Sequence, residues 1–292
     1  MTLLAQALAD GLMFGGVLAL VAVGFSLVFG VMGVINLSHG ALVLVGAYLA
    51  VIARRALGLD PLLAIPLVAV VMFPLGYAYE RWVISVAVRR ASLLSSLLVT
   101  FGMALVIRNI LTLLFSSDTQ SLRPDYASLH AEFGGVVFDL AHAAGLAASL
   151  LLIGALAAAL HLSSLGRVIR ATAQQELAAR LCGVNVRGVH AATFGIAAAF
   201  AGTAGVVIGL LFPFSPSSEA TWTTYAFIVV VLGGVGSPAG ALLGGLLLGI
   251  ISSLTGTYIG AAFPNAVAFG MLVLMLMVRP NGLLGNAFGG SR

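Results

Sequence analysis

Long apolar runs dominate this chain and are separated by short polar stretches. The runs occupy about 11–30, 40–53, 61–79, 93–115, 142–160, 189–212, 222–235, 240–258 and 264–278. A helix needs roughly 20 apolar residues to cross a bilayer core. Several runs meet that length, whereas 40–53, 222–235 and 264–278 fall short. The short runs read as half-helices, tilted spans, or spans that borrow flanking residues. The pattern predicts an all-α polytopic membrane protein with eight or nine transmembrane segments. No polar region is large enough to fold alone, so residues 1–292 read as a single transmembrane domain.

Two apolar stretches are interrupted in the same way. One reads Gly30-Val-Met-Gly-Val-Ile-Asn36-Leu-Ser38-His39-Gly40, and the other Leu232-Gly233-Gly234-Val-Gly236-Ser237-Pro238-Ala-Gly240. Each puts glycines and uncharged polar groups inside strongly apolar sequence. A broken helix survives in a bilayer only where protein or a water-filled cavity surrounds the break. Paired interruptions in the two halves of a chain point to a solute path. Asn36, Ser38, His39 and Gly40, with Gly233, Gly234, Gly236 and Ser237, are therefore the candidate path residues. The plainer alternative is that these side chains cap broken backbone and the glycines serve helix packing. Pro238 suits the first turn of the following helix.

Composition agrees with the membrane reading. The chain is 61% hydrophobic and 8% charged, too few charges to cover a water-soluble surface. All 13 basic residues are Arg. Because they flank apolar spans, the pI near 9.7 implies lipid contact and no nucleic acid. The single Cys182 excludes an internal disulfide and argues against a cysteine-rich metal site. Residues 1–10 contain no basic residue, and the first apolar run reads as a retained span. Arg81, Arg89 and Arg90, then Arg167 to Arg187, then Arg279 and Arg292 form three groups that can all be cytoplasmic. The acidic loop 116–140 then faces outward. Arg54 and Arg55 also fall on that outer side, against the rule. Either the early segments are re-entrant or the two arginines are tolerated, and the side of the N-terminus depends on which.

The loop 163–187 is polar but rich in helix formers over Gly166–Leu181. A short amphipathic cytoplasmic helix is expected there, with Leu177 and Leu181 on one stripe and Gly183 as its stop. It could lie on lipid or dock on protein. The run Leu177-Ala178-Ala179-Arg-Leu-Cys-Gly183 resembles the coupling motif of ABC importer permeases, whose loop seats on an ATPase subunit. In the family the leading position is Glu; here it is Leu177, with Glu176 one residue earlier. The resemblance assigns ATPase coupling to Glu176, Ala178, Ala179 and Gly183.

Further segments resemble the permease subunit of bacterial branched-chain amino-acid importers (leucine/isoleucine/valine type). They are Gly24 to Gly40, Gly46-Ala-Tyr48, Gly166-Arg-Val-Ile-Arg170-Ala, Val231 to Ser237, Gly240-Ala-Leu-Leu-Gly244-Gly245 and Arg279-Pro280-Asn-Gly282-Leu. The resemblance implies an inner-membrane transport subunit without an enzymatic role or cofactor of its own. It also implies a second homologous permease, separate cytoplasmic ATPase subunits and an external solute-binding protein. A permease of the same class for a sugar, urea or amide, or a self-contained channel or carrier, are the alternatives. No phosphate-binding Gly-x-x-x-x-Gly-Lys loop can exist in a chain without Lys, so ATP must bind elsewhere.

Other polar residues carry weaker expectations. Arg108 reads as snorkelling to the outer interface, or as facing a partner permease together with Thr100. Trp222 and Tyr225 read as interfacial anchors. His39 has no acidic partner in its span, which argues against a proton relay. Ala141-His142-Ala-Ala-Gly145 resembles the His segment of rhomboid-type intramembrane proteases, but no Gly-x-Ser-Gly precedes it.

Overall fold

A computed structural model of the chain describes residues 2–86, 93–133 and 135–285. Arg89, Arg90 and Arg292, used above to orient the chain, lie outside the described residues. Eleven α-helices are described. The first three are α1 (Thr2–Met32), α2 (His39–Leu57) and α3 (Pro61–Tyr79), the last followed by one π-helical turn, Glu80–Ile84. Then come α4 (Leu93–Phe115), α5 (Leu140–Leu162), α6 (Ser164–Gln174) and α7 (Glu176–Leu181). The series ends with α8 (Val186–Leu211), α9 (Glu219–Gly233), α10 (Pro238–Tyr258) and α11 (Pro264–Val278). Seven of the described helices are long and apolar enough to cross a membrane. With the 15-residue α9 and α11, nine apolar helices stand where eight or nine segments were expected.

Most ends follow from local chemistry. Asp60 Oδ1 accepts the Leu62 N–H at 2.9 Å, and Pro61 opens α3 where a missing N–H costs nothing. Ser163, Asn185 and Ser237 cap α6, α8 and α10 by accepting the N–H of Gly166, Gly188 and Gly240. Gly58, at φ +65°, ends α2 in the left-handed region.

α1 and α8 form the centre. Val17–Ala22 on α1 and Val206–Ile208 on α8 are fully buried, whereas Leu113, Leu151 and Met277 on outer helices are mostly exposed. α1 and α10 pack backbone to backbone. A Cβ at Gly15 would stand 2.7 Å from Leu246 Cα, so only glycine permits that approach.

The two faces of the molecule differ. An antiparallel hairpin, β1 (His130–Phe133) with β2 (Val136–Asp139), closes one face in the register His130↔Asp139. Within the outer loop the sequence predicted no strand. Gln6 of α1 holds this hairpin through both amide ends, Val137 N–H to Oε1 and Nε2 to the Val137 carbonyl, each 2.9 Å. The N-terminal end of α1 therefore lies on the hairpin face. α5 leaves the hairpin at Asp139, and its 23 residues span about 34 Å, which carries the chain to the face formed by α6 and α7.

The hairpin face also accounts for the misplaced arginines. Arg54 Nη1 donates to the Arg123 carbonyl at 3.1 Å, and Arg55 Nη2 to Gln120 Oε1 at 2.8 Å. Both are held by the loop of the acidic face. α1 begins on the hairpin face, α2 ends there, and the chain turns back between them.

Two expectations are corrected here. The loop 163–187 forms two helices rather than one, because Gln175 takes an extended conformation (φ −155°, ψ 95°) between them. Trp222 and Tyr225 are not interfacial anchors. Trp222 is buried and packs on Phe212, and Tyr225 packs edge-on against Phe14 with its hydroxyl on Asn265.

Candidate functional site

The first interruption is a true break. α1 stops at Met32, Gly33 turns at φ +65°, and residues 33–38 are non-helical until His39 opens α2. His39 Nε2 lies 2.8 Å from the carbonyl oxygen of Val21, eleven residues before the end of α1. Eleven helical residues rise about 16 Å. Six non-helical residues can span about 20 Å, enough to bring the chain back that far. α2 therefore starts beside the middle of α1.

Several of the polar groups exposed by this break are answered by protein. Asn36 Oδ1 accepts from Ser38 N–H at 3.1 Å and from the Ser38 hydroxyl at 2.6 Å. Ser38 Oγ is also 2.9 Å from the Tyr79 hydroxyl of α3. The Leu37 N–H donates to Thr100 Oγ1 of α4 at 3.2 Å. Asn36, Ser38, His39 and Thr100 are all at most 2% exposed. Unpaired polar groups at such positions would cost about 1–3 kcal/mol each, so these bonds are required for the break to exist. Thr100 thus faces the break inside this chain, not a partner permease.

The start of α2 abuts the first turns of α9. The Gly40 N–H donates to Thr223 Oγ1 of α9 at 2.9 Å, and the Thr223 hydroxyl donates to the Glu219 carbonyl at 3.0 Å. A Cβ at Gly40 would strike the Glu219 carbonyl oxygen and stand 2.5 Å from Thr223 Oγ1. Glu219 itself is buried at the first turn of α9, where a carboxylate suits the helix dipole. Arg108 of α4 is close enough to act on it electrostatically. Glu219, Thr223, Thr100 and Tyr79 belong to the joint although the sequence reading did not assign them to it. The legible signal was Glu219, an isolated acid beside an apolar run.

The second interruption is the other end of α9. Gly234 (φ +103°) and Gly236 (φ +78°) turn the chain before Ser237 caps α10. The Gly236 N–H donates to Ser26 Oγ of α1 at 2.9 Å. Gly233 meets Gly240 across the turn, where a Cβ at Gly240 would lie 2.6 Å from the Gly233 carbonyl oxygen. The last described residues close the site. Leu283 N–H donates to the Leu232 carbonyl at 2.8 Å and Leu284 N–H to the Gly233 carbonyl at 3.1 Å.

The eight candidate path residues thus form two clusters, around 36–40 and 233–237, joined by α9. Both are anchored on one stretch of α1, at Val21 and Ser26. The clusters themselves are closed and hydrogen-bonded. A cavity of about 700 Å³ opens instead on the hairpin face, and none of the eight lines it.

The coupling candidates lie on the opposite face. Glu176 pairs with Arg180 on the surface of α7, Ala178 is exposed and Ala179 is buried. Gly183 (φ +82°) ends α7: its N–H donates to the Arg180 carbonyl and the Val184 N–H to the Ala179 carbonyl, each at 3.0 Å. That double bond pattern is the Schellman stop, which needs a left-handed residue at this position. Nothing lies within 4 Å of where a Gly183 Cβ would be. Leu177 and Leu181 are 67% and 81% exposed, so the apolar stripe of α7 turns away from this chain.

Comparison with known proteins agrees with this architecture. The family described as "Branched-chain amino acid transport system / permease component" matches residues 7–278. The chain is 33% identical over 294 residues to the high-affinity branched-chain amino acid transport system permease protein BraD of Pseudomonas aeruginosa, covering 96% of this chain and 95% of that one. It is 32% identical to the corresponding protein LivH of Escherichia coli K12, with the same coverage. A shorter match, 34% over 122 residues, joins it to the permease protein LivM of the same organism, covering 41% of this chain and 28% of that one. With seven long apolar helices among the described residues, it is a multi-pass protein of the bacterial inner membrane. The chain belongs to the branched-chain amino acid transport system permease family.

Proposed function

We propose that this subunit imports branched-chain or related amino acids, through a path that opens where α2 and α9 meet. The carrying observation is the joint Gly40–Thr223, where the start of α2 packs against the first turns of α9 inside the membrane-spanning body. Helix N-termini present N–H groups that favour a carboxylate. Asn36, Ser38 and Thr223 add neutral polar groups suited to a zwitterion. In the closed state these groups satisfy one another, and transport exchanges those bonds for contacts with solute. A transporter of this kind works through differential contacts in its states, with no covalent step.

The driving force in this reading comes from cytoplasmic ATPase subunits seated on α6–α7. The exposed Leu177 and Leu181, the open space over Gly183 and the small Ala178 suit close seating of a rigid partner. A second, homologous permease completes the path, as the match to both LivH and LivM supports. An external solute-binding protein delivers substrate at the hairpin face. Uptake of labelled leucine by cells carrying the full set of subunits tests the reading. Loss of uptake on deleting this chain is expected, and unchanged uptake would contradict it.

A further inference from the structure

A continuous series of contacts runs from α7 to the first break. Only residues 182–185 separate α7 from α8, and they are bonded into both helices. The Val184 N–H reaches back to the Ala179 carbonyl at 3.0 Å, and Asn185 Oδ1 accepts the Gly188 N–H at 3.2 Å. A displacement of α7 is therefore passed to the start of α8. Further along, α8 lies against α3 with the two backbones in contact. A Cβ at Gly76 would stand 2.3 Å from Ala198 Cβ, and one at Gly195 2.9 Å from the Phe73 carbonyl oxygen. Packing this close has little compressibility and transmits strain.

Tyr79, the last residue of α3, stands where this helix pair meets the break. Its ring centroid lies 5.2 Å from that of Phe194 on α8, and its hydroxyl 2.9 Å from Ser38 Oγ. The direction of that bond follows from its neighbour. Asn36 Oδ1 can only accept, so the Ser38 hydroxyl donates its one proton there, at 2.6 Å. Tyr79 must then donate to Ser38. The hydroxyls run one way, Tyr79 to Ser38 to Asn36, and bonds chained in this manner strengthen one another. Two features mark the junction as able to rearrange. Directly after Tyr79 the helix widens into the π turn Glu80–Ile84, the only one among the described residues, and such turns are frequent at functional sites. Thr193, beside Phe194, is fully buried, and its hydroxyl has no partner among the described residues. An unpaired buried hydroxyl is costly, so this packing of α8 is one that another seating could improve.

We propose that Tyr79 is the positioning residue through which nucleotide-driven movement of α6–α7 reaches the break at residues 33–38. Movement of α8 displaces Phe194 and, with it, the Tyr79 ring. The Tyr79 hydroxyl then leaves Ser38, and the Asn36–Ser38 pair loses its anchor on α3. The start of α2 is released to part from α9. Tyr79 touches no solute in this scheme and acts through Ser38. That ATPase subunits move α6–α7 rests on the permease reading above.

The test takes Leu37→Cys in a Cys182→Ser background as its reference, assembled with the ATPases in proteoliposomes. Labelling by a membrane-impermeant thiol reagent is measured without nucleotide and with ATP trapped by vanadate, relative to the nucleotide trapped. Trapping should raise labelling of the reference several-fold. Adding Tyr79→Phe keeps the ring on Phe194 and leaves the Ser38–Asn36 bond in place, so thermal unfolding should shift by no more than about 4 °C. The nucleotide-driven rise should nevertheless shrink at least about twofold. Ser38→Ala should also shrink it, and the double variant should do no worse than Ser38→Ala alone, because the Tyr79–Ser38 bond is then already gone. A full rise in Tyr79→Phe overturns the proposal. So does labelling that is already high without nucleotide, since the bond would then only hold the break shut. If trapping raises labelling in no protein, the reference included, while leucine uptake still requires this chain, the Tyr79 assignment falls and the permease reading stands. If Tyr79→Phe abolishes the rise but leucine uptake never depends on this chain, the permease reading falls alone.

Discussion

The imidazole Nε2 of His39 and the carbonyl oxygen of Val21 stand 2.8 Å apart, and this pair sets where α2 begins. It fastens the start of α2 to the middle of α1, the longest of the described helices. Phe25, one turn further along α1, packs edge-on against the same imidazole at 5.5 Å. His39→Ala would lose the bond and leave a hole against Phe25. A destabilisation of about 2–4 kcal/mol is expected, read as a lower unfolding temperature in detergent. His39→Gln, which keeps a donor, should lose less. Equal stability of all three proteins would contradict this role.

Thr223 answers Gly40 across the joint. Thr223→Val keeps the shape but removes the acceptor for a buried N–H, at a cost of about 1–3 kcal/mol. Thr223→Ser should be close to wild type. Gly40→Ala forces α2 away from the Glu219 carbonyl, and overpacking of this kind costs about 1–3 kcal/mol. Uptake should fall more steeply than stability in Gly40→Ala, because the joint itself is displaced. Leucine transport and thermal unfolding measured on the same preparations check this.

Gly183 sits at φ +82° with open space around it. Gly183→Val adds backbone strain of about 1–2 kcal/mol and a branched side chain on the docking face. The variant should insert normally yet lose uptake and ATPase association. Gly183→Asn, which tolerates the left-handed region, should retain helix α7 and part of the activity. Full uptake by Gly183→Val would contradict docking at this loop.

Tyr126 lies outside the spans, with its hydroxyl donating to Asp60 Oδ1 at 3.1 Å. Burial, and then the nearby Asp60 charge, push its pKa up to about 12. The unfolded chain gives up this proton near pH 10, before the folded one does. The contribution to stability is therefore complete below pH 10 and is lost as the pH rises from 10 to 12. Tyr126→Phe should flatten the stability profile in that window. Denaturant titrations at pH 9 and 11.5 measure the difference.

Much of the fold was legible because bilayers impose length and composition on each span. Each apolar run became a helix, and both glycine-marked breaks proved to be real turns with left-handed glycines at 33, 234 and 236. What escaped was non-local. No periodicity could show that the return from Met32 to His39 runs back to Val21, so the side of the N-terminus stayed open. Nor could it show that α2 meets the start of α9 through Thr223. The break at Gln175 was hidden because its neighbours are good helix formers. The hairpin was missed, although Gly134-Gly135 between apolar-rich stretches is a turn signal. The glycines that interrupt the helices have a local cause and were legible as breaks. Those that answer them from other helices, Thr100 and Tyr79 among them, have no local signature.

The most direct test of the account is thiol accessibility at the joint during turnover. Leu37→Cys in a Cys182→Ser background, assembled with its ATPases in proteoliposomes, would be treated with a membrane-impermeant thiol reagent. Labelling should be slow without nucleotide, rise several-fold when ATP is trapped with vanadate, and be slowed by leucine. A thiol that stays unreactive in every nucleotide state, while leucine uptake proceeds at the normal rate, would show that solute passes elsewhere.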